Sequence, residues 1–168
     1  VYTGSLLLIL MYALAQLNLL INYLRAKKKT AHCPVFDFEN PEEIPVVTIQ
    51  LPVYNEMYVM QRLLDNIAKI DYPREKLEIQ VLDDSTDESL KTTAFKIKEL
   101  QATGLDIKHI TRSNRSGFKA GALKQGLEIA KGAYIAIFDA DFLPQQSWLY
   151  KTIPYFKDAE IGVVQTRW

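Results

Sequence analysis

A chain of 168 residues, 48% of them hydrophobic, suits one packed domain with an appendage. Its formal net charge is zero, but residues 1–30 carry four basic side chains (Arg25, Lys27, Lys28, Lys29) and no acid, so 16 basic and 20 acidic groups, net −4, fall beyond residue 30. A mildly acidic domain argues against nucleic acid as a partner, because that binding rests on neutralising phosphates. The single cysteine, Cys33, excludes an intrachain disulfide and fits a reducing compartment.

Residues 5–24 contain no charged side chain. Twenty helical residues reach about 30 Å, the thickness of a bilayer's hydrocarbon core. Gln16, Asn18 and Asn22 interrupt the apolar run and suit contacts with other helices, where amides find partners. Tyr23 and the basic cluster 25–29 follow at once, which places the remainder in the cytoplasm by the positive-inside rule. A signal peptide carries its positive charges before the apolar run, the reverse of the order here. The expected organisation is a transmembrane helix over 1–25, a basic and proline-containing linker over 26–45 (Pro34, Pro41, Pro45), and a folded region over 46–168. Cys33 reads as a spectator thiol in that linker. A start at Val1 and a stop just after an apolar run read as a fragment.

From residue 46 the pattern alternates. Strands are expected at 46–51, 77–82, 105–110, 133–138 and 161–165, with 133–138 the most buried. Helices are expected at 56–70, 87–103, 119–131 and 146–157. Their apolar spacing includes Val59, Leu63, Ile67 and Ile70 in the first, and Leu90, Ala94, Ile97 and Leu100 on one face of the second. Gly132 stands where a helix C-terminus favours glycine. Strands alternating with helices imply βαβ units and a mostly parallel sheet. Right-handed crossovers then gather every strand C-terminus along one edge, where open α/β sheets bind ligands.

The polar clusters fall at those strand ends. Strand one runs into Pro52-Val53-Tyr54-Asn55-Glu56, strand two into Asp83-Asp84-Ser85-Thr86-Asp87, and strand four into Asp139-Ala140-Asp141. Strand three is followed by a loop with Arg112, Arg115, Gly117 and Lys119. Helix caps account for Ser85, Asp87 and Asn55 one by one, but not for the acidic pairs. Asp139 as a turn cap and Asp141 as a solvated residue is the plain reading of the last triplet. Two carboxylates one residue apart also suit a divalent metal shared with a diphosphate. Tyr54 can stack on or border a base, and Asp83 or Asp84 can accept from a base N–H or a ribose hydroxyl. Lys119, at a helix N-terminus, adds charge beside free amides. Neither Gly-x-Gly-x-x-Gly after strand one nor Gly-Lys-Ser/Thr is present, which argues against a membrane-anchored dinucleotide oxidoreductase and a P-loop enzyme. His32 and His109 have no metal-ligand spacing and read as surface residues. Trp148 and Tyr155 read as packing residues, and Arg112 and Arg115 as a phosphate contact or a solvated loop. The sequon Asn114-Arg115-Ser116 is discounted in a cytoplasmic loop.

Pro-Val-Tyr-Asn-Glu (52–56), Val-Leu-Asp-Asp-Ser-Thr-Asp (81–87), Gly-Phe-Lys-Ala-Gly-Ala-Leu (117–123) and Phe-Asp-Ala-Asp-Phe (138–142), in that order, resemble the family 2 glycosyltransferases of the GT-A fold. Within them the wording is most similar to cellulose-synthase-like and glucomannan-synthase-like membrane enzymes. The resemblance covers about residues 46–168 and implies an incomplete, Rossmann-like GT-A domain behind one transmembrane helix. It implies a UDP- or GDP-sugar donor, inverting transfer of a hexose, and a polysaccharide acceptor such as a β-glucan or mannan, at the cytoplasmic face of a plasma or inner membrane. A lipid acceptor (ceramide or polyprenyl phosphate) and a non-catalytic nucleotide-sugar-binding membrane protein are the alternatives. By the same resemblance Pro52, Tyr54 and Glu56 border the nucleoside, Asp83 and Asp84 contact base or ribose, and Lys119 lies near the diphosphate. Asp139 and Asp141 form the Asp-x-Asp motif for Mg2+ or Mn2+, with Asp141 favoured over Asp139 as the direct ligand. The family's catalytic base lies in a downstream Glu-Asp or Thr-Glu-Asp motif that this chain lacks, and Gln165-Thr166-Arg167-Trp168 has one residue too few for its Gln-x-x-Arg-Trp motif. No catalytic residue is therefore assigned, and this stretch alone is expected to bind donor poorly and not to catalyse.

Overall fold

The computed structural model describes residues 2–27, 40 and 42–166. Most of the expected 26–45 linker, with His32 and Cys33, lies outside the described residues, as do the last two residues of 165–168. The chain divides into two compact units, Val1–Cys33 and Pro34–Trp168.

The first unit is one helix, α1 (Tyr2–Lys27). Its stretch Tyr2–Ala26 is long and apolar enough to cross a membrane, and none of it is buried within the protein. Asn22 donates to Asn18 one turn back at 3.2 Å, so two of the three polar groups in the apolar run satisfy each other.

The second unit is a four-stranded parallel sheet of β1 (Val47–Val53), β2 (Leu77–Asp83), β3 (Ile107–Thr111) and β4 (Tyr134–Ile137), in the order β3-β2-β1-β4. The helices are α2 (Met60–Ile67), α3 (Ser89–Ala102), α4 (Phe118–Glu128) and α5 (Trp148–Thr152). The chain steps outward from β1 to β3, then returns to place β4 on the other side of β1. That reversal opens a crevice between the C-terminal ends of β1 and β4, the place where ligands bind in such sheets.

Side chains alternate along each strand, and the two faces of this sheet differ in kind. Val47, Ile49, Leu51, Val53, Leu77, Ile79 and Val81 join one apolar cluster with Met60, Leu63, Leu64 and Ile67 of α2 and Ile97 and Leu100 of α3. The alternate positions Thr48, Gln50, Glu78 and Gln80 are equally buried, yet polar. They meet α4: Gln50 donates to Gln80 at 3.0 Å and lies 3.5 Å from the Leu123 carbonyl. Glu78 accepts from Thr48 at 2.6 Å, from Lys108 at 2.5 Å and from the Lys131 N–H at 2.8 Å. A Cβ on Gly126 would fall 2.6 Å from the Gln50 amide, so only glycine lets α4 sit this close.

Several expected boundaries shift. The strand at 133–138 is an edge strand rather than the most buried one, and Ile137 is 48% exposed, because β4 has a partner only in β1. Residues 161–166 form no strand; a turn at Asp158 directs them toward Trp148, whose indole donates to Thr166 at 3.2 Å, instead of onto the β4 ladder. The helix expected over 146–157 ends at Thr152 and tightens into a 3-10 turn (Ile153–Lys157), since Pro154 has no N–H to continue the α ladder. The first helix begins at Met60 because residues 56–59 form a turn closed on the Glu56 carbonyl. In α3, Ser89 and Thr93 take buried places where Leu90 and Ala94 were expected. Gly132 caps no helix in the left-handed conformation; a Cβ there would come within 2.4 Å of the Thr48 backbone nitrogen, so it is required for close approach to β1.

Candidate active site

A cavity of about 540 Å3 lies in the β1/β4 crevice, lined by Pro52, Val53, Tyr54, Glu56, Leu82, Asp84, Arg115, Lys119, Ala122, Asp139, Ala140 and Asp141. Seven of the eight sequence-derived candidates therefore meet in one place: Pro52, Tyr54 and Glu56 from the end of β1, Asp84 from β2, Lys119 from α4, and Asp139 and Asp141 from the end of β4.

Asp83 is the exception. Its carboxylate is wholly buried, 2.9 Å from Nε2 of His109, and it accepts from the Ser85 N–H at 2.9 Å. Strand parity is the reason. Asp83 continues the apolar series 77, 79 and 81, and its neighbours across the sheet are Val53 and Thr111. The assignment of Asp83 to base or ribose is corrected to an internal one, and with it the placing of His109 at the surface. Burial alone would raise the Asp83 carboxyl, but the hydrogen bonds from His109 and Ser85 outweigh it and hold the group below its ordinary range.

The two loops beside Tyr54 are stitched together. The Asn55 N–H donates to Ser85 Oγ at 2.8 Å, and the Thr86 N–H donates to Asn55 Oδ1 at 2.9 Å. Asn55 adopts a left-handed φ of 56°, which asparagine tolerates better than most residues. The β3–α4 loop is fixed by Arg112. Its Nε donates to Asp84 at 2.8 Å and its Nη2 to the other carboxylate oxygen, while Nη1 reaches the Ser116 carbonyl at 3.0 Å and Nη2 the Phe118 carbonyl at 3.0 Å. Gly117 (φ 72°) turns the chain into α4, and a Cβ on Gly121 would collide with the Ser116 carbonyl at 2.1 Å. This tight entry aims Lys119 at Asp139, with which it forms an ion pair. Arg115, in the same loop, places its guanidinium carbon 3.3 Å from the centre of the Tyr54 ring.

Composition and spacing left Arg112, Arg115 and His109 without assigned roles. Their sequence signal is position alone: His109 lies within β3 opposite Val81 of β2, and the two arginines lie in the loop after it. Trp148 packs edge-on against Phe138 at 4.8 Å, as expected of a packing residue.

The donor set for a metal is modest. Among the described residues no three His, Cys, Asp or Glu side chains converge as a metal-binding group. Asp139 and Asp141 both face the cavity, Asp139 is paired with Lys119, and Asp141 has no hydrogen bond or ion pair among the described residues. Two carboxylates fit a hard cation that completes its shell with water and phosphate oxygens, not one that needs a full protein cage.

Residues 48–168 match the family model described as Glycosyl transferase family 2. The chain is 42% identical over 131 residues to probable glucomannan 4-beta-mannosyltransferase 7 of Oryza sativa subsp. japonica, covering 75% of this chain and 22% of that one. It is 36% identical over 164 residues to glucomannan 4-beta-mannosyltransferase 1 of Cyamopsis tetragonoloba, covering 93% and 31%. Among solved structures it resembles mannosyltransferase PcManGT from Pyrobaculum calidifontis, in complex with GDP-Man and Mn2+, with a TM-score of 0.68 at 34% identity over 85% of this chain and 41% of that one. S. aureus TarS 1-349 matches with a TM-score of 0.53 at 28% identity over 68% and 31%. The match thus spans 22% to 31% of the length of these plant relatives. With its parallel sheet and its match over 48–168, the chain belongs to glycosyl transferase family 2 and has a GT-A-like fold.

Proposed function

We propose that this chain holds the nucleotide-sugar donor of a membrane-bound, inverting hexosyltransferase that extends a polysaccharide, with a mannosyl donor and a mannan-like acceptor as the leading pair. The observation that carries the reading is the convergence of seven candidates, six of them polar or aromatic, from four separate segments on one crevice at the sheet's switch point. The names of the plant relatives and the GDP-Man complex of the archaeal neighbour support the mannosyl choice. Helix α1 serves as a membrane anchor over 1–25, joined through 26–45 to the donor-binding region 46–168, with that region on the cytoplasmic side.

In this reading Tyr54 and Pro52 border the nucleoside and Asp84 accepts from ribose or base, held in place by Arg112. Lys119 stands beside the diphosphate. Asp139 and Asp141 hold a Mg2+ or Mn2+ ion, with Asp141 as the direct ligand and Asp139 shared with Lys119. The ion, when bound, neutralises the diphosphate as its bond to the sugar breaks. The acceptor hydroxyl gives its proton to a general base and attacks the anomeric carbon from the side opposite the bond to the nucleoside diphosphate, which leaves, so the configuration inverts.

Donor binding by the full-length protein measured with and without Mn2+, for the wild type and Asp141→Asn, tests the site. Metal-dependent tightening is expected for the wild type and should be lost in the variant, with unfolding temperature unchanged. Equal metal dependence in both proteins removes Asp141 from this role.

A further inference from the structure

We propose that Arg115 reads the nucleobase of the donor and selects guanine over uracil. The inference rests on the donor-site reading above and carries it one step further, to the identity of the base.

Two arginines three residues apart in the β3–α4 loop have different occupations. Arg112 is committed: it grips both oxygens of Asp84 and the carbonyls of Ser116 and Phe118, and its side chain is 10% exposed. Arg115 is 39% exposed, and its nearest carboxylate oxygen, on Asp84, is 3.9 Å away, beyond hydrogen-bond range. Among the described residues the Arg115 guanidinium makes no hydrogen bond, although its backbone carbonyl accepts from the Phe118 N–H at 3.0 Å. What holds it is the Tyr54 ring at 3.3 Å, with Phe118 at 5.3 Å. Arg112 already neutralises Asp84, so the charge of Arg115 is surplus to that task.

The result is a planar fork of N–H donors, steadied against an aromatic face and without protein acceptors, on the wall of the cavity that Tyr54 and Asp84 share. A base entering between the β1–α2 and β3–α4 loops meets those donors. Guanine offers O6 and N7, two adjacent acceptors that match the fork in a bidentate pair. Uracil offers O4 with no second acceptor beside it on that edge, and adenine replaces O6 by a donor.

The test uses the full-length protein in detergent with Mn2+, titrated with GDP, IDP and UDP, for the wild type, Arg115→Met and Arg115→Lys. IDP keeps O6 and N7 but lacks the 2-amino group. The wild type should bind GDP and IDP more tightly than UDP. Arg115→Met should weaken GDP and IDP about ten-fold or more and UDP by less than about three-fold. Arg115→Lys should not restore the purine preference, because an ammonium group cannot form the fork. Equal losses for all three nucleotides would place Arg115 on the diphosphate and overturn the inference, as would no loss at all or a wild-type preference for UDP. In those cases the donor site itself stands; failure of the wild type to bind any of the three overturns both. Unchanged thermal unfolding of Arg115→Met separates lost recognition from lost folding.

Discussion

The two faces of the sheet are both buried, and they are buried by different means. Under α2 and α3 the strands present Ile49, Leu51, Ile79 and Val81, which need only volume and exclusion of water. Under α4 they present Thr48, Gln50, Glu78 and Gln80, which need partners in fixed directions. The apolar face tolerates small slides of its helices. The polar face does not, because α4 fits it closely at Gly126 and is tied to it by Gln50 at the Leu123 carbonyl and, just past the end of the helix, by the Lys131 N–H bond to Glu78. Helix α4 is the one that carries Lys119 to Asp139. The difference teaches that the directional face lies behind the element whose position the site most needs, while the non-directional face supplies bulk stability.

If that division is correct, Leu63→Ala on the apolar side should have the largest effect on stability, about 3 kcal/mol in urea unfolding. Its effect on donor binding should be small at temperatures where the chain stays folded. Glu78→Ala should cost about 2 kcal/mol, since it leaves the Lys131 N–H and the Thr48 O–H without an acceptor in a buried setting, and it should also weaken donor binding through α4. A variant that unfolds the chain but spares binding in the folded fraction would erase the contrast between the faces. Acid should act on the polar face next. Burial pushes the Glu78 carboxyl up, but hydrogen bonds from Lys108, Lys131 and Thr48 bring it below its ordinary 4.5. A carboxyl lowered on folding adds stability that is present above its unfolded value and is lost as pH falls through the folded one. Unfolding midpoints should therefore drop below about pH 4.5, and Glu78→Gln should flatten that decline. The smallest effect is expected at the His109–Asp83 hydrogen bond on the apolar side. His109→Ala removes a single hydrogen bond to Asp83 and should cost about 1 kcal/mol. A loss as large as that of Glu78→Ala would show that polar pairs matter alike on both faces.

Much of this was legible before any coordinates. The alternation of strands and helices is local, and so were the four polar clusters at strand ends. Seven of the eight candidate residues share the cavity because parallel strands bring all their ends to one edge whatever their order. Asp83 was not legible as an internal residue. It is adjacent to Asp84 in sequence, and only the parity of β2 sends one carboxylate to His109 and the other to Arg112. The strand expected at 161–165 has the right composition, yet composition does not say whether a neighbouring edge will pair with it. The committed state of Arg112 and the open state of Arg115 could not be separated either, since both lie in one loop with the same charge.

The sequence by itself determined the apolar helix at the N-terminus, the βαβ rhythm, and the chemistry gathered at the strand ends, because each depends on neighbours within a few residues. Only the tertiary structure decided the order β3-β2-β1-β4, the edge position of β4, and that Asp84 rather than Asp83, and Arg115 rather than Arg112, faces the cavity. Those outcomes depend on which distant segments lie side by side, and side-chain direction in a strand acquires meaning only once its neighbours on both faces are in place.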